Sequence, residues 1–308
     1  MVRYIIRRLL QVIPVFFGAT FLLFLALYIF PGDPALVIGG ERARDPASYR
    51  FVREKYHLDE PVYVQYGFYM KSILQGDLGT SFTLRRPVAS ILKDALPWSV
   101  KLALSAIVVE AVLGIAAGVL SAVKRYSFRD ALVTISTGVL VAIPVFWLGL
   151  MLQILLGLKF RLFPISGVSA GWKSYVLPSI VLAAVFTAVT ARLTRTTMLE
   201  VMRQDYIRTA AAKGLSRRRV IFKHGLRNAL IPVVTNLGLD FGALISGAIL
   251  TETVFNWPGI GREVYLAILR QDNPVIIGAT VIFVIAYMVV NLAVDISYAY
   301  LDPRIRYA

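Results

Sequence analysis

The sequence predicts an all-α integral membrane protein with six transmembrane helices and with both termini in the cytoplasm. Charged residues make up only 17% of the 308 residues, against about 25% in soluble domains, and the mean hydropathy is +0.69. A helix needs about 20 mostly apolar residues to cross a bilayer. Six windows meet this requirement and lack the polar stripe of a buried soluble helix: 9–30, 98–121, 131–157, 175–194, 229–250 and 275–300.

Composition excludes several classes of function. A net charge of +15 would suggest nucleic-acid binding in a soluble protein, but membrane proteins gather Lys and Arg in cytoplasmic loops. The chain has no cysteine, which excludes disulfides, thiolate metal sites and thiol nucleophiles. Neither His57 nor His224 belongs to a group of residues with metal-ligand spacing in the sequence. We therefore expect no catalytic residue and no metal site.

The chain divides into three segments. The apolar run of the first window is too long for the 7–15-residue apolar region of a signal peptide, so residues 1–30 are predicted to form a cytoplasmic start and an uncleaved span. Residues 31–97 carry nine basic and eight acidic residues and are long enough to escape the charge rule for loops. They are predicted to form an extracytoplasmic insertion. Residues 98–308 are predicted to form a core domain with the other five spans.

Two features of the insertion are locally predictable. The stretch LDEPVYVQYGFYMKSILQGDLG indicates a short helix, with Asp59 as cap, Pro61 in the first turn and Gly76 as the stop. Its aromatic residues either lie at the membrane surface or pack within an external cap: Tyr63, Tyr66, Phe68 and Tyr69. The PGDPA turn (31–35), with two prolines, is interpreted as loop punctuation after the first span.

The orientation of the chain in the membrane follows from the distribution of Lys and Arg among the short loops. Residues 192–229 hold ten Lys or Arg, whereas the two short loops that would face the opposite side hold five. Further basic residues precede the first span, separate the second from the third, and end the chain. By the positive-inside rule, both termini and the segment 192–229 face the cytoplasm.

Within that segment, DYIRTAAAKGLSRRRVIFKHGLRNALIP (205–232) predicts a short helix, a hinge and a second helix. Asp205 can cap the first helix, Lys213 suits its negative C-terminal end, and Gly214 supplies a left-handed stop. Ser216 can cap the second helix. The alanines 210–212 expose little side chain, so that another protein can approach the backbone closely. Anionic lipid could account for the three arginines 217–219, but not for the alanine helix.

These residues resemble the cytoplasmic signature loop of binding-protein-dependent ABC importer permeases, in the dipeptide/oligopeptide branch and in the first of its two permease subunits. Further stretches match that branch in the same order along the whole chain: PGDPA, GDLGTSF (76–82), ARLTRTTMLEVMRQDYIRTAAAKGL (191–215), ETVFNWPGIG (252–261) and the terminal LDPRIR (301–306).

The resemblance implies the type I ABC importer permease fold in a prokaryotic cell membrane. It also implies that the loop 192–229 carries a coupling helix that docks on an ATPase subunit, with these residues involved: Asp205, Arg208, Thr209, Ala210, Ala211, Ala212, Lys213 and Gly214. The external turn is implied to lie near a gate and a docked binding protein, through Phe255, Asn256, Trp257, Pro258 and Gly259.

The resemblance implies four kinds of partner: a second homologous permease subunit, two ABC ATPase subunits or domains, an extracytoplasmic substrate-binding protein and membrane lipid. Because the sequence contains no GxxxxGK[ST] phosphate loop, ATP and Mg²⁺ are expected on the ATPase partners, and no cofactor is expected on this chain.

The sequence departs from the broader permease signature at two places. Arg208, Thr209 and Ala210 stand where that signature has Glu-Ala-Ala, and His-x-Leu-Arg-Asn (224–228) replaces its usual Ile-x-Leu-Pro end. Both departures resemble the peptide branch. They remove any basis for assigning the missing glutamate's salt bridge to this chain.

Four polar side chains lie inside predicted spans and are candidates for the translocation path: Glu110, Asp240, Asn291 and Asp295. A charge at mid-bilayer costs about 2.5–3.5 kcal/mol on insertion scales, so it normally faces a partner or a wet cavity. The alternative is that they hold helices together, since Gly238 and Gly242 around Asp240 form a small-xxx-small packing face.

Two other classes of function, a secondary transporter and a structural scaffold, are alternatives to the importer. A self-sufficient secondary transporter predicts inverted repeats and paired broken helices, and the sequence shows neither. A structural membrane scaffold leaves the alanine helix and Gly214 unexplained. The predicted substrates are di- or oligopeptides, with a nickel chelate, glutathione or a sugar as alternatives.

Overall fold

The computed structural model describes residues 2–28, 33–40, 43 and 45–301. These residues form two π-helical segments, Gln153–Lys159 and Val220–Leu226, and fourteen α-helices: α1 Val2–Tyr28, α2 Pro34–Gly39, α3 Pro46–Lys55, α4 Val62–Leu74, α5 Val88–Val123, α6 Phe128–Ala142, α7 Val145–Leu152, α8 Lys173–Val201, α9 Asp205–Ala212, α10 Arg217–Arg219, α11 Arg227–Ser246, α12 Ile249–Val254, α13 Ile260–Leu269 and α14 Asn273–Leu301. Thr80 and Pro87 form an isolated β-bridge.

Five stretches of the described helices are long and apolar enough to cross a membrane: Ile6–Ala26, Val88–Val123, Lys173–Val201, Arg217–Ser246 and Asn273–Val294. They correspond to five of the six predicted windows, and they confirm a mostly helical membrane protein. The terminal residues 302–308, which include most of the LDPRIR motif, lie outside the described residues.

The predicted window 131–157 is not one continuous helix. It divides into α6 and the α7–π segment, which are bent by 106° relative to each other. Ile143, between them, has the extended angles φ −80° and ψ 126°. Pro144 explains the break, because its ring disfavours the helical conformation of the residue before it. The pattern of apolar residues alone did not predict this break. The described residues contain one bent pair, not the paired broken helices of a secondary transporter.

Two helices extend beyond the predicted limits. α5 begins at Val88, inside the predicted insertion, and α8 continues to Val201. The segment predicted as a loop over 192–229 is therefore mostly helical. Only residues 202–216 separate α8 from the next candidate span, and α9 occupies the middle of them.

The chain divides into two compact units, residues 1–99 with 258–308, and residues 100–257. The first unit has a core of Phe24, Ala35, Ile38, Val52 and Leu58.

Two aspartate-proline pairs begin short helices in this first unit. Asp33 Oδ1 accepts a hydrogen bond from Ala35 N at 2.9 Å at the start of α2. Asp45 Oδ2 accepts one from Ser48 N at 2.9 Å at the start of α3, and this bond lowers the pKa of Asp45. The PGDPA turn is thus more than loop punctuation, because its Asp33 and the following proline form a helix start.

The predicted helix of the insertion is α4, but Asp59 does not cap it. Pro61 occupies the cap position, and the carboxylate of Asp59 instead binds the guanidinium of Arg53. Packing within the insertion holds for some of the aromatic residues, and the membrane-surface placement stays a prediction. Tyr66 packs on the core around Phe24 and shares a hydrogen bond of 3.1 Å with Thr20, whereas Tyr63 is 78% exposed.

The GDLGTSF motif is held by one buried carboxylate. Asp272, just before α14, is 2% exposed and accepts hydrogen bonds from Ser81 Oγ, Phe82 N and Thr83 N. Three donors fix the loop to the start of the last long helix. Packing within the first unit therefore explains this motif.

In the second unit, α5 and α8 approach closely through two glycines. A Cβ atom on Gly114 would lie 2.8 Å from Thr190 Cγ2, and one on Gly118 would lie 2.6 Å from the carbonyl oxygen of Ala191. This is the small-xxx-small contact that lets membrane helices pack backbone to backbone. No room remains for a larger residue at either position.

A buried ion pair fixes the end of the same two helices to α6. Asp130, 4% exposed, accepts hydrogen bonds from Arg195 Nε at 2.8 Å and Nη2 at 2.9 Å. Ser121 Oγ and Tyr126 N donate two more. The bidentate geometry and the added donors compensate for taking both charges out of water.

We expect Gly118→Ala to destabilise the protein, because the new methyl group meets a backbone oxygen that cannot move aside. Overpacking of this kind costs about 1–3 kcal/mol. Gly138→Ala on α6 is the matched control, since a Cβ there meets nothing within 4 Å and alanine favours a helix. Thermal unfolding in detergent measures both. An unchanged midpoint for Gly118→Ala would contradict the close α5–α8 contact.

Candidate functional site

The exposed helix α9 is the centre of the candidate site. It follows the extended residue Gln204 (φ −71°, ψ 149°) and spans Asp205–Ala212. Ile207 and Ala210 are buried and pack against Val220, with Leu215 at the edge of the same cluster. α9 therefore rests on the start of the next long helix by one apolar face and leaves its other faces exposed.

The turn after α9 has the predicted form. Gly214 has φ +75°, a left-handed conformation that favours glycine because it has no Cβ. A Cβ at this position would meet nothing within 4 Å. Only the backbone conformation, and not crowding, therefore requires glycine here.

Asp205 does not cap α9 as predicted. It is the first helical residue, and its carboxylate lies 3.5 Å from Arg208 Nη1 in an exposed ion pair. Gln204 occupies the cap position without a side-chain hydrogen bond. Asp205 still places a negative charge in the first turn, where the helix dipole favours it. Ser216 does occupy the cap position of the second helix, also without a side-chain hydrogen bond.

The predicted surface of small residues is smaller than expected. Ala211 and Ala212 are exposed, but Ala210 is 7% exposed and faces inward. The helical period of 3.6 residues places Ala210 on the same side as Ile207. The outward surface consists of the two outer alanines together with Arg208, Thr209 and Lys213, all exposed.

Sequence analysis missed the polar link between α9 and α11. Tyr206 Oη accepts a hydrogen bond from Asn228 Nδ2 at 2.9 Å, and the same amide donates to the carbonyl oxygen of His224 at 3.1 Å. The two residues are 22 positions apart, and a contact of that range has no periodic signal in the sequence.

Two of the four intramembrane polar residues come together in the second unit. Glu110 is 0% exposed, and its Oε1 accepts a hydrogen bond from Thr190 Oγ1 at 2.7 Å. Among the described residues, Oε2 has no partner with hydrogen-bond geometry. The carboxyl of Asp240 lies close enough to that of Glu110 for the two to interact, and Asn236 donates to Asp240.

The other two candidates belong to the first unit. Asn291 lines a cavity of about 190 Å³ with Arg8, Gln11 and Tyr287, and within the described residues its buried Oδ1 has no hydrogen-bond partner. The side chain of Asp295 lies outside the described residues. Thr190 and Asn236 were missed by sequence analysis, although Asn236 stands one helical turn before Asp240.

The external turn is largely buried. Phe255 and Trp257 are 1% and 0% exposed. The carbonyl oxygen of Phe255 accepts a hydrogen bond from Gly167 N at 2.9 Å, and the ring of Trp257 packs edge-to-face on Tyr175 at 4.7 Å. Asn256 between them is exposed and has φ +49°. Of these three side chains, only that of Asn256 is exposed.

The last two residues of the predicted turn lie in the first unit. Pro258 is half-buried, and the buried Gly259 occupies the cap position of α13. Within the described part of the chain, no three His, Cys, Asp or Glu side chains converge where they could hold a metal ion.

Two family models match the chain. Residues 114–307 match the binding-protein-dependent transport system inner membrane component, and residues 1–103 match the N-terminal region of the same kind of membrane component.

Curated relatives match over their full length. The glutathione transport system permease protein GsiC of Escherichia coli (strain K12) is 41% identical over 308 residues, which cover 100% of both chains. The dipeptide transport system permease protein DppB of Alkalihalophilus pseudofirmus is 40% identical, also over 100% of both chains.

A solved structure shares the fold. The crystal structure of an amino acid ABC transporter with histidines matches with a TM-score of 0.54 and 14% identity, over 68% of this chain and 94% of that one. This likeness concerns the fold alone. Together with the full-length relatives and the match over 114–307, it leads to one assignment: the chain is a multi-pass membrane protein that belongs to the family of inner membrane components of binding-protein-dependent transport systems.

Proposed function

We propose that this chain is one of two permease subunits of an ATP-driven importer, which carries di- or oligopeptides delivered by an extracytoplasmic substrate-binding protein. The observation that carries the proposal is α9, a short helix whose buried face rests on Val220 and whose exposed face combines the small side chains of Ala211 and Ala212 with the basic Arg208 and Lys213. Small side chains allow a partner to approach the helix backbone closely. A cleft on an ATPase subunit is the partner that this shape and the family together favour.

The assignment as a permease subunit also indicates the partners of this chain. ATP hydrolysis is assigned to two ABC ATPase subunits or domains on other chains, because no phosphate-loop motif is present in this sequence. A second homologous permease completes the membrane part, and lipid surrounds the apolar helices. ATP and Mg²⁺ would bind only to the ATPases.

Peptide is the substrate class that the relatives favour. The two full-length relatives named above are dipeptide and glutathione permeases by name, and glutathione is itself a tripeptide. A nickel chelate or a sugar remains the alternative. Identifying the ligand that copurifies with the cognate binding protein separates these classes.

We further propose six spans, with both termini and α9 in the cytoplasm. In this arrangement the bent α6–α7 pair counts as one span. The charge distribution supports this orientation, since the segment 192–229 has ten Lys or Arg. A self-sufficient secondary transporter is disfavoured because the described residues contain one bent pair, whereas that class uses paired broken helices. Copurification of an ATPase with the chain tests the choice between an importer and a secondary transporter.

The coupling role of α9 predicts the effect of Gly214→Val. A β-branched residue in a left-handed conformation costs about 1–2 kcal/mol, which re-aims the turn after α9 and leaves the spans unchanged. Because α9 must fit a preformed cleft, we expect normal membrane insertion but a five- to thirty-fold loss of coupling, on the scale of that free energy. Substrate-stimulated ATPase activity and uptake in proteoliposomes measure it.

Gly76→Val is the matched control. Gly76 has φ +76°, and a Cβ there also meets nothing within 4 Å, so the substitution carries the same backbone strain far from α9 in sequence. It should leave coupling intact. Full uptake and full ATPase stimulation by the Gly214→Val protein would overturn the coupling role.

Glu110 and Asp240 are proposed to act in the translocation path, with helix packing as the alternative. If they do, the neutral isosteres Glu110→Gln and Asp240→Asn should alter uptake while the purified complex keeps its subunits and its thermal midpoint. The reason is that an isostere removes the charge and retains the shape and the hydrogen bonds. Unchanged uptake, or loss of uptake only through dissociation, would instead support packing.

Asn256 is the proposed contact of the external turn. The chain has no cysteine, so Asn256→Cys provides a single labelling site at an exposed position. A docked binding protein should slow its reaction with a membrane-impermeant maleimide, and ATP should change that protection. Labelling at the same rate in all states would contradict the assignment.

A further inference from the structure

α10, the π-helical segment Val220–Leu226 and α11 form one continuous stretch, Arg217–Ser246, called here the α10–α11 helix. An apolar groove of about 510 Å³ lies between α5 and the start of this helix in the second unit. Every lining side chain is apolar. Val112, Ala116 and Leu120 form one wall, and Phe222 and Leu226 form the other. Val112 is 62%, Leu120 52% and Phe222 53% exposed, so the groove is open to its surroundings.

Both walls continue into a basic residue at the same end. On α5 the wall residues follow a four-residue spacing, and the next step after Leu120 is Lys124, the first residue beyond the helix. On the other wall, one turn before Phe222, lies Arg218. Each cation therefore follows its own wall by one step of four residues along the chain.

The two ends face the same way because the helices run in opposite directions. Glu110 of α5 interacts with Asp240, whereas residues within 111–120 of α5 line the groove with Phe222 and Leu226. The C-terminal end of α5 therefore lies towards the start of the helical segment Arg217–Ser246. Lys124 and Arg218 both lie at that end.

Neither cation is neutralised by a described residue. Lys124 and Arg218 are exposed, and no carboxylate of the described residues forms an ion pair with either. A wholly apolar groove that ends between two unpaired cations complements a ligand with an apolar chain and an anionic head.

We propose that this groove is a binding site for an anionic phospholipid, with an acyl chain along α5 and the phosphate between Lys124 and Arg218. Basic pockets between membrane helices bind anionic headgroups in this way. The arginines 217–219 could attract anionic lipid without any contribution from α5. The proposed site differs because α5 supplies one wall of the groove and Lys124. A second permease subunit packed over the groove is the competing occupant.

The test uses the full chain in its assembled transport complex, in nanodiscs of phosphatidylcholine. Ala116→Cys places a small fluorophore in the groove, and Leu132→Cys places it on the exposed face of α6, where Leu132 is 55% exposed. Spin-labelled phosphatidylglycerol or phosphatidylcholine then quenches the fluorescence. We expect phosphatidylglycerol to be preferred at position 116 and not at position 132.

The cations are tested separately. Lys124→Gln and Arg218→Gln should each reduce the preference for phosphatidylglycerol at position 116 by about fivefold, the factor for one basic residue near a membrane surface. Arg203→Gln, which removes an exposed cation outside both walls, should leave it unchanged. Three outcomes overturn the proposal: equal quenching by the two lipids, a preference that survives the double variant Lys124→Gln/Arg218→Gln, or no quenching by either lipid, which would place protein over the groove.

Discussion

The hydrocarbon core of a membrane offers no hydrogen-bond partners, and this constraint governs how the long helices are built. Apolar side chains such as Val112 and Leu132 can remain exposed on this chain, because an apolar surface within a membrane does not face water. Polar groups must find their partners inside the protein. Glu110 does so with Thr190, and Asp130 does so with Arg195, Ser121 and the backbone of Tyr126.

The same constraint bears on the proposed function, because α8 carries most of these contacts. It packs on α5 through Gly114 and Gly118, and it binds Asp130 through Arg195. α8 then ends at Val201, four residues before α9 begins. In the proposed importer, α9 is thus attached closely to one well-anchored helix and rests on the next. A displacement of α9 by an ATPase would act on both helices.

The local chemistry of the proposed coupling site was largely predictable from the sequence. Gly214 was predicted to have a left-handed backbone conformation, and the structure confirms it. The prediction succeeded because a glycine directly after a run of helix-forming residues commonly ends the helix in this conformation. The identity of the cap was not predictable to one residue: Gln204 precedes the helix, and Asp205 is its first member. Asp33 and Asp45, each followed by proline, begin helices. The interpretation of PGDPA as loop punctuation overlooked this signal at Asp33, and the sequence analysis made no prediction for Asp45.

Other features depend on contacts distant in sequence. The hydrogen bond of Tyr206 with Asn228, the proximity of Glu110 to Asp240, and the three donors on Asp272 all join separate elements. No periodicity in one helix indicates which residue of another will face it. Burial of Phe255 and Trp257 was equally unpredictable, because Phe255 packs with Leu177 and Val181 and Trp257 packs on Tyr175.

The sequence by itself determined the environment of this protein, its helical class and the short basic helix between two spans, because hydropathy, charge and turn residues act locally along the chain. The tertiary structure alone decided which face of α9 is free, since Ile207 and Ala210 are buried only when Val220 is present to receive them. It also decided which membrane polar groups meet. Both outcomes depend on helix packing, whose energy is a property of pairs of surfaces and not of either one.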